Sequence, residues 1–496
     1  MTPLVLSAVS AALLSVSFCS LNSGWLAWCG LVPFLLALEG LSLSRTFWYS
    51  FFCGAVFWSL AIYWLIHVTL LGQVILICYL AVYFSAFGVL VYLARSFSPL
   101  RYLFFLPSCW VLLEYLRSHL FTGFPWALIA FSQYRFLPVI QVSDLTGAWG
   151  VSFLVIMANT AFYLLLRRRQ VLKIIFTFFL FLCLVLGYGF VKLGRKIIFS
   201  PGRDKVRVSV IQGNIPQDLK WDRNAAFFIL NRYHELTVAA SAGKPGLIVW
   251  PESSVPGLLG RDEAEFAQVY ALAGELNTGI LVGAVSYSGL RYFNSALYIN
   301  RDGSPGPLYH KIHLVPFGEY IPLKNIFPFL ETIAPIGDIQ AGKDFVVFKK
   351  PVDFGVLICF EDLFPELSRE FIRSGAKFLV NITNDAWYKE TSAPYQHFAA
   401  SVFRSVENRV YLARSANTGI SGFIDPFGRI LKTVKNTAGK EIFVEGYCTQ
   451  DIYPEASPRT VYNRYGDFFI ILCFVVFIFP AVRFFFKRRN PRQRKS

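Results

Sequence analysis

The chain has 496 residues, of which 55% are hydrophobic, 17% aromatic and only 16% charged, with 50 Phe and 2 Met. Ordinary soluble domains carry about 25% charged residues, so composition excludes a wholly soluble protein and points to a membrane-embedded part joined to a more polar one. The net charge of +16 is concentrated beside apolar segments, at Arg167, Arg168, Arg169 and Lys173, at Lys192, Arg195 and Lys196, and in the tail KRRNPRQRKS; that placement fits membrane topology and not nucleic-acid binding.

Seven apolar segments, at 3–21, 24–41, 46–67, 70–94, 101–120, 148–166 and 172–191, are predicted as spans, because about 20 residues cross a bilayer as a helix. An eighth is predicted at 467–486, followed by a basic cytoplasmic tail at 487–496. The first segment lacks a basic leader and further spans follow directly, so it reads as retained and not as a cleaved signal. With a cytoplasmic N-terminus, Arg45, Arg95, Arg101 and the triple arginine fall inside, while the first two outer loops, SLNSG and HVTLLG, contain no Lys or Arg. This orientation puts 197–466 outside, on the periplasmic face of a diderm inner membrane. One outer loop, 121–147, is apolar and aromatic but interrupted by Gly and Pro; it reads equally as a re-entrant element or as a packed loop. Glu114 and Arg117, three apart at the outer end of the fifth span, suggest an intrahelical ion pair or a polar face toward a head-group.

From about 205 to 450 short β-rich runs alternate with helical ones. VRVSVIQGN reads as a strand, 223–241 as a helix, GLIVWPE as a strand and 261–276 as a helix. GILVGAVS, SALYIN, VDFGVLICFED, a helix at 363–373, KFLVNITND, a helix at 394–409 and further strands follow. The pattern predicts a layered α/β domain. Of nine cysteines, seven lie in the apolar segments; Cys359 and Cys448 do not, and a disulfide between them is open if this part faces an oxidising compartment. His310 and His313 straddle Lys311 without ligand-like spacing, so no metal and no cofactor is expected.

Three polar residues stand at ends of these runs: Glu252 in WPESS, Lys311 in LYHKIHLVPFGEY and Cys359 in GVLICFED. Catalytic groups of layered α/β folds gather beyond strand C-termini. A cysteine attacks as thiolate, a carboxylate in a dry pocket can take its proton, and a lysine there can lower the thiol pKa and stabilise an oxyanion. Taken singly, each has a plainer reading: Cys359 as buried packing, Glu252 as a helix cap at Ser253 or Ser254, Lys311 as a solvated strand residue. Asp362 reads as the cap of the following helix.

The ordered set WPES, YHKIHLVPFGEY and ICFED resembles the carbon–nitrogen hydrolase (nitrilase) superfamily over about 205–450, with VIQGNIPQDLKW and NITNDAWY similar to that family's first and late strands and loops. Set between seven N-terminal spans and one C-terminal span, and with FTGFPW, QGNIPQ and HLVPFGEY, the chain as a whole resembles the apolipoprotein N-acyltransferase family. The fold that the resemblance implies is a polytopic α-helical membrane domain of eight transmembrane helices plus a nitrilase-like α-β-β-α sandwich, with domains at 1–195, 205–450 and 467–486. It further implies Cys359 as nucleophile, Glu252 as general base and Lys311 as oxyanion-stabilising cation. Glu361 would be a supporting acid, Glu319 would position the lysine or the substrate, and Trp221 would line the entrance. Phe360 departs from the family, which often has Tyr there, and leaves only an apolar wall. The implied reaction moves an acyl chain from a phospholipid, phosphatidylethanolamine by resemblance, through a Cys359 thioester to the α-amine of a diacylated apolipoprotein at the inner membrane; a monomer is expected, since no segment suggests a self-complementary patch. The alternatives are a membrane-anchored amidase acting on a small periplasmic amide, a transporter with a binding domain outside, and a pseudo-enzyme with a silent cysteine.

Overall fold

The computed structural model describes residues 2–19, 22–194, 205–321, 339–454 and 459–489, without the side chains of Trp221, Arg223 and 480–489. The predicted tail at 490–496 therefore lies outside the described residues. The chain divides into two compact units, 1–195 with 464–496, and 196–463.

The first unit is helical. Its long helices are Pro3–Val16, Leu43–Ala61, Leu70–Leu93, Pro99–His119, Ala148–Leu166, Val171–Gly194 and Phe468–Arg489. Local chemistry sets their ends: Thr69 Oγ1 accepts from the Gly72 amide at 3.2 Å, and Pro99 opens its helix at the first turn, where a missing N–H costs nothing. The predicted segment at 24–41 is instead broken into a 3-10 turn, Gly24–Trp28, and a short helix, Val32–Ala37. Buried Asn159 stitches that break, accepting from the Leu31 amide and donating to the Ala27 carbonyl, both at 2.7 Å. Helices Leu43–Ala61 and Leu70–Leu93 pack closely through small residues: a methyl on Gly88 would lie 1.9 Å from Ser50 Oγ.

Among the described residues three helices are long and apolar enough to cross a membrane: Leu70–Ser96, Ala148–Leu166 and Val171–Gly194. Pro3–Val16, the interrupted Gly24–Ala37 and Phe468–Phe479 are shorter apolar helical stretches. Val171–Gly194 turns its apolar side chains outward, with Leu172 82% and Phe176 69% exposed; a helix apolar all round is suited to lipid. The loop at 121–147 is packed into the helical unit, with Trp126, Leu128, Ile129 and Phe131 buried. Glu114 and Arg117 hold that loop: Glu114 Oε1 accepts from the Ile129 amide at 2.8 Å, and Arg117 Nη1 donates to the Phe124 and Trp126 carbonyls at 2.6 and 2.7 Å. The expected pair is thus a pair of loop anchors, because a buried backbone polar group demands a partner.

The second unit is two sheets face to face. The first contains β1 (Val206–Gln212), β2 (Leu247–Val249), β3 (Leu258–Leu259), β4 (Gly279–Ser288), β5 (Arg291–Ile299), β6 (Pro305–His310) and β12 (Gly446–Ile452), in the order β12-β1-β2-β4-β5-β6 with β3 beside β4. The second contains β7 (Phe354–Ile358), β8 (Phe378–Thr383), β9 (Leu412–Ala416), β10 (Gly422–Ile424) and β11 (Ile430–Thr433), in the order β11-β10-β9-β8-β7. β1-β2-β4 and β7-β8-β9 are the parallel cores, and their strands are buried except for Arg207 on β1 and Tyr287 and Ser288 at the end of β4. That is why they read as continuous Val/Ile/Leu runs and not as alternating ones. The Ser415 hydroxyl ties the sheets, donating to the Ile211 and Val249 carbonyls at 2.7 and 3.1 Å. Helices Ala226–Ser241 and Glu263–Leu276 cover the first sheet, burying Ile229, Tyr233, Phe266 and Val269 against Ile248 and Trp250. Pro365–Arg373 and Ala393–Asn408 pack on the second sheet.

Candidate active site

Three strand ends converge. Glu252 follows β2, Lys311 follows β6, and Cys359 follows β7 directly. Each arrives by a different local device. The Trp250 ring stacks on Tyr233 at 4.8 Å and its Nε1 donates to Thr237 at 2.9 Å, so a buried anchor sits two residues before Glu252. Gly283 then lets the Pro251–Ser253 backbone lie directly on β4, where a methyl would come within 2.6 Å of Glu252 Cα. Cys359 has φ +55°, a left-handed conformation at a strand-to-turn junction. Such a conformation costs on the order of 1–3 kcal/mol in a residue other than glycine and persists only where its surroundings over-determine it.

Lys311 is nearly sealed, 1% exposed, with Nζ 2.9 Å from Glu319 Oε2 and 3.6 Å from Glu252 Oε1. The Asn294 amide donates to both acids, at 2.7 Å to Glu252 Oε1 and 2.6 Å to Glu319 Oε1, and the Val315 amide donates to Glu319 Oε2 at 2.7 Å. Burial works against the ammonium, but Glu319 and Glu252 outweigh it and hold the Lys311 pKa above the ordinary lysine range. The Cys359 thiol is pushed up, first by burial and then by Glu252, with Lys311 acting the other way. Lys311 therefore lowers the thiol as expected, but burial and Glu252 outweigh it and the net shift is upward. The resting cysteine is a thiol facing a carboxylate, which is the arrangement general-base activation requires.

Glu361 is fully buried, and its carboxylate accepts from the Ile358, Ile312 and His313 amides (2.7, 2.7 and 3.1 Å) and from the Tyr309 hydroxyl (3.1 Å). It clamps the Lys311 loop onto the Cys359 turn. Burial raises its pKa to about 7, against those amides and Lys311. Phe360 walls the pocket, its ring 5.6 Å from Lys311 Nζ. Trp221 closes the 3-10 turn Leu219–Trp221, and its side chain lies outside the described residues. Asp362 does not cap the next helix, whose N-cap is Phe364. It lies inside the 3-10 turn Cys359–Leu363, and its carboxylate turns inward to Ser401, Arg414 and His397. Cys448 is free, as is Cys359. They belong to different sheets, Cys448 on β12 and Cys359 at the end of β7, so the disulfide is not formed. His310 and His313 go separate ways, to Ser295 Oγ at 2.8 Å and onto the Phe364 ring at 3.7 Å.

Several groups at the site escape sequence reasoning. Lys220, buried, donates to the Glu252 carbonyl at 2.9 Å. Burial lowers its pKa to about 8 against the opposing charges of Glu252 and Cys359. The Asn381 amide donates to the Cys359 carbonyl at 3.0 Å. Lys220 lies in QDLKW and Asn381 in NITNDAWY, so proximity to a motif was the available signal. Asn294, in mid-strand, carries no local signal.

Two family models match the chain: the apolipoprotein N-acyltransferase N-terminal domain over residues 10–161 and carbon-nitrogen hydrolase over 207–451. An apolipoprotein N-acyltransferase of Geobacter metallireducens is 37% identical, with 95% of this chain and 92% of the relative covered. One of Rickettsia prowazekii is 31% identical, with 88% and 86% covered. One of Chlorobaculum tepidum is 28% identical, with 95% and 94% covered. With a pocket of Glu, Lys and Cys in the second unit and apolar helices in the first, and with relatives matched nearly end to end, the chain belongs to the apolipoprotein N-acyltransferase family.

Proposed function

We propose that the protein transfers a fatty acyl chain from a membrane phospholipid to the N-terminal α-amine of S-diacylglyceryl-cysteine apolipoproteins, in two steps through Cys359. In the first, Cys359 Sγ attacks the ester carbonyl as Glu252 takes the thiol proton. The C–O bond breaks, Glu252 returns the proton to the departing alkoxide, and a lysophospholipid leaves. In the second, the lipoprotein amine attacks the thioester, Glu252 accepts an amine proton, and the sulfur departs and recovers it. Lys311, fixed by Glu319, faces the negative charge that develops in both tetrahedral intermediates. Trp221 borders the entrance and Phe360 forms an apolar wall in this reading.

The observation that carries the proposal is the strained Cys359 turn in a buried Glu–Lys–Cys pocket, in a chain whose other unit presents apolar helices. A lone anchor needs one helix. Eight spans, with the catalytic unit on the periplasmic face of the inner membrane, serve instead to admit acyl chains laterally. At about 0.8 kcal/mol per methylene, drawing a long chain into water costs on the order of 10 kcal/mol, and a site at the outer leaflet avoids it. Phosphatidylethanolamine is the donor we favour, and the working state is a monomer.

Incubating the purified protein with phospholipid and measuring intact mass tests this. A hydroxylamine-labile acyl adduct, absent in Cys359→Ala, is expected. No adduct on the wild type refutes the thioester, and steady release of free carboxylic acid without an acylated amine favours the amidase reading.

A further inference from the structure

Behind Cys359 lies a charge cluster that the proposed steps do not use. Helix Ala393–Asn408 presents His397, fully buried, between two carboxylates: Nε2 is 2.9 Å from Asp362 Oδ1 and Nδ1 is 2.8 Å from Asp385 Oδ1. A carboxylate only accepts, so each ring nitrogen must donate and both must carry hydrogen. The proton cannot reside on the acids instead, because Arg414 holds them ionised, with Nη1 2.7 Å from Asp362 Oδ2 and Nη2 3.5 Å from Asp385 Oδ2. The Ser401 hydroxyl also donates to Asp362. Two carboxylates, a guanidinium and an imidazolium sum to zero; with a neutral imidazole a net negative charge would remain in a dry interior.

The cluster reaches the nucleophile by three routes. Asp362 shares its 3-10 turn with Cys359. Asn381, whose Oδ1 accepts from Arg414 Nη1 at 2.6 Å, donates to the Cys359 carbonyl. The Thr383 hydroxyl, at the end of β8 beside the Cys359 turn, donates to Asp385 Oδ1 at 3.5 Å and lowers the Cys359 thiol. Fit around Asp385 is tight, since a methyl on Gly419 would meet Asp385 Oδ2 at 2.0 Å.

We propose that His397 is a positioning residue for Cys359: a standing imidazolium that neutralises Asp362 and Asp385 behind the sulfur and locks the strained turn that presents it. The proposal rests on Cys359 being the nucleophile. Electrostatics agree. Burial works against the His397 cation and Arg414 opposes it, but Asp362 and Asp385 raise its pKa to about 9. Both acids lie below their ordinary range, His397 and Arg414 overcoming burial. Asp385 raises the Cys359 thiol, so removing the imidazolium exposes the thiol to that charge in full.

Two measurements on the full-length protein in detergent test it. With ring-15N-labelled histidine, one of the six histidines should stay doubly protonated through pH 8 and vanish in His397→Gln. A His397 that titrates near 6.5 overturns the proposal without a variant. The second is the pH profile of Cys359 alkylation by uncharged iodoacetamide. In folded His397→Gln it should move up by about one pH unit or more, with kcat for acylation down about tenfold and KM unchanged. His397→Gln/Asp385→Asn, again neutral, should bring the profile at least halfway back. An unmoved profile in folded His397→Gln, or no recovery in the double variant, overturns it. Absence of an acyl adduct on the wild-type cysteine would instead overturn the nucleophile reading, so the two failures are distinguishable.

Discussion

Gly283→Ala probes how Glu252, the proposed general base, is placed. An added methyl would lie 2.5 Å from Pro251 O, 2.6 Å from Glu252 Cα and 2.6 Å from Ser253 N, all backbone atoms that no side-chain rotation can move aside. Ordinary contact begins near 3.4 Å, so the Glu252 turn must retreat by about 0.8 Å. That retreat pulls on the Gly283 N–H to Pro251 O bond (3.2 Å) and the Ser254 N–H to Gly283 O bond (2.8 Å). Overpacking of this kind costs typically 1–3 kcal/mol, a fall of several degrees in melting temperature for a domain of this size, so the variant remains folded. A misplacement on the order of 1 Å costs about 10²-fold in rate, or about 2.7 kcal/mol of transition-state stabilisation. Single-turnover acylation, followed by intact mass, should fall by that factor while the melting transition persists. Acylation within threefold of wild type, in a protein shown to carry the substitution, would refute the claim that contact between β4 and the WPES turn sets the base.

Lys311→Met should abolish acylation and destabilise the catalytic unit by about 3–5 kcal/mol, because it leaves Glu252 and Glu319 buried without their cation; adding Glu319→Gln should recover part of the melting temperature and none of the activity. Lys220→Met should slow single-turnover acylation about tenfold, the worth of a charged hydrogen bond to the Glu252 carbonyl, and a rate equal to wild type refutes that role. For stability against pH, Glu361 (about 7 against 4.5) and His397 (about 9 against 6.5) are both raised on folding. Each contributes stability at low pH that is lost as pH climbs through those values. Lys220, depressed to about 8 from 10.5, works oppositely, its burial cost being relieved above pH 8. The melting temperature of the catalytic unit should therefore fall from pH 5 to 8 and flatten above, and Lys220→Met should remove the flattening. A steady rise from pH 5 to 8 contradicts the assignment.

Much of the α/β domain was legible because its strands are buried on both faces. β7 and β8 read as unbroken apolar runs closed by polar residues, and the helices over them fell within a few residues of their observed ends. The short strand β3 was not legible, since two residues carry no period. Cys359, Glu252 and Lys311 could be named because a polar residue at the end of a buried run is conspicuous. Their common pocket could not be derived from spacing: Glu252 and Cys359 lie more than a hundred positions apart and on different sheets.

Sequence alone determined the class of the protein, since an excess of apolar residues in long runs cannot be hidden in a soluble fold of this length. It also singled out three strand ends that the fold brings together. Tertiary structure decided the charges. How far Lys311 offsets the rise of the Cys359 thiol depends on burial and on the two carboxylates, Glu252 and Glu319, gathered around it. The role of Asp362 likewise depends on a histidine thirty-five positions away. Periodicity records which face of an element is buried; the balance of buried charge depends on distances between elements, and only packing sets those.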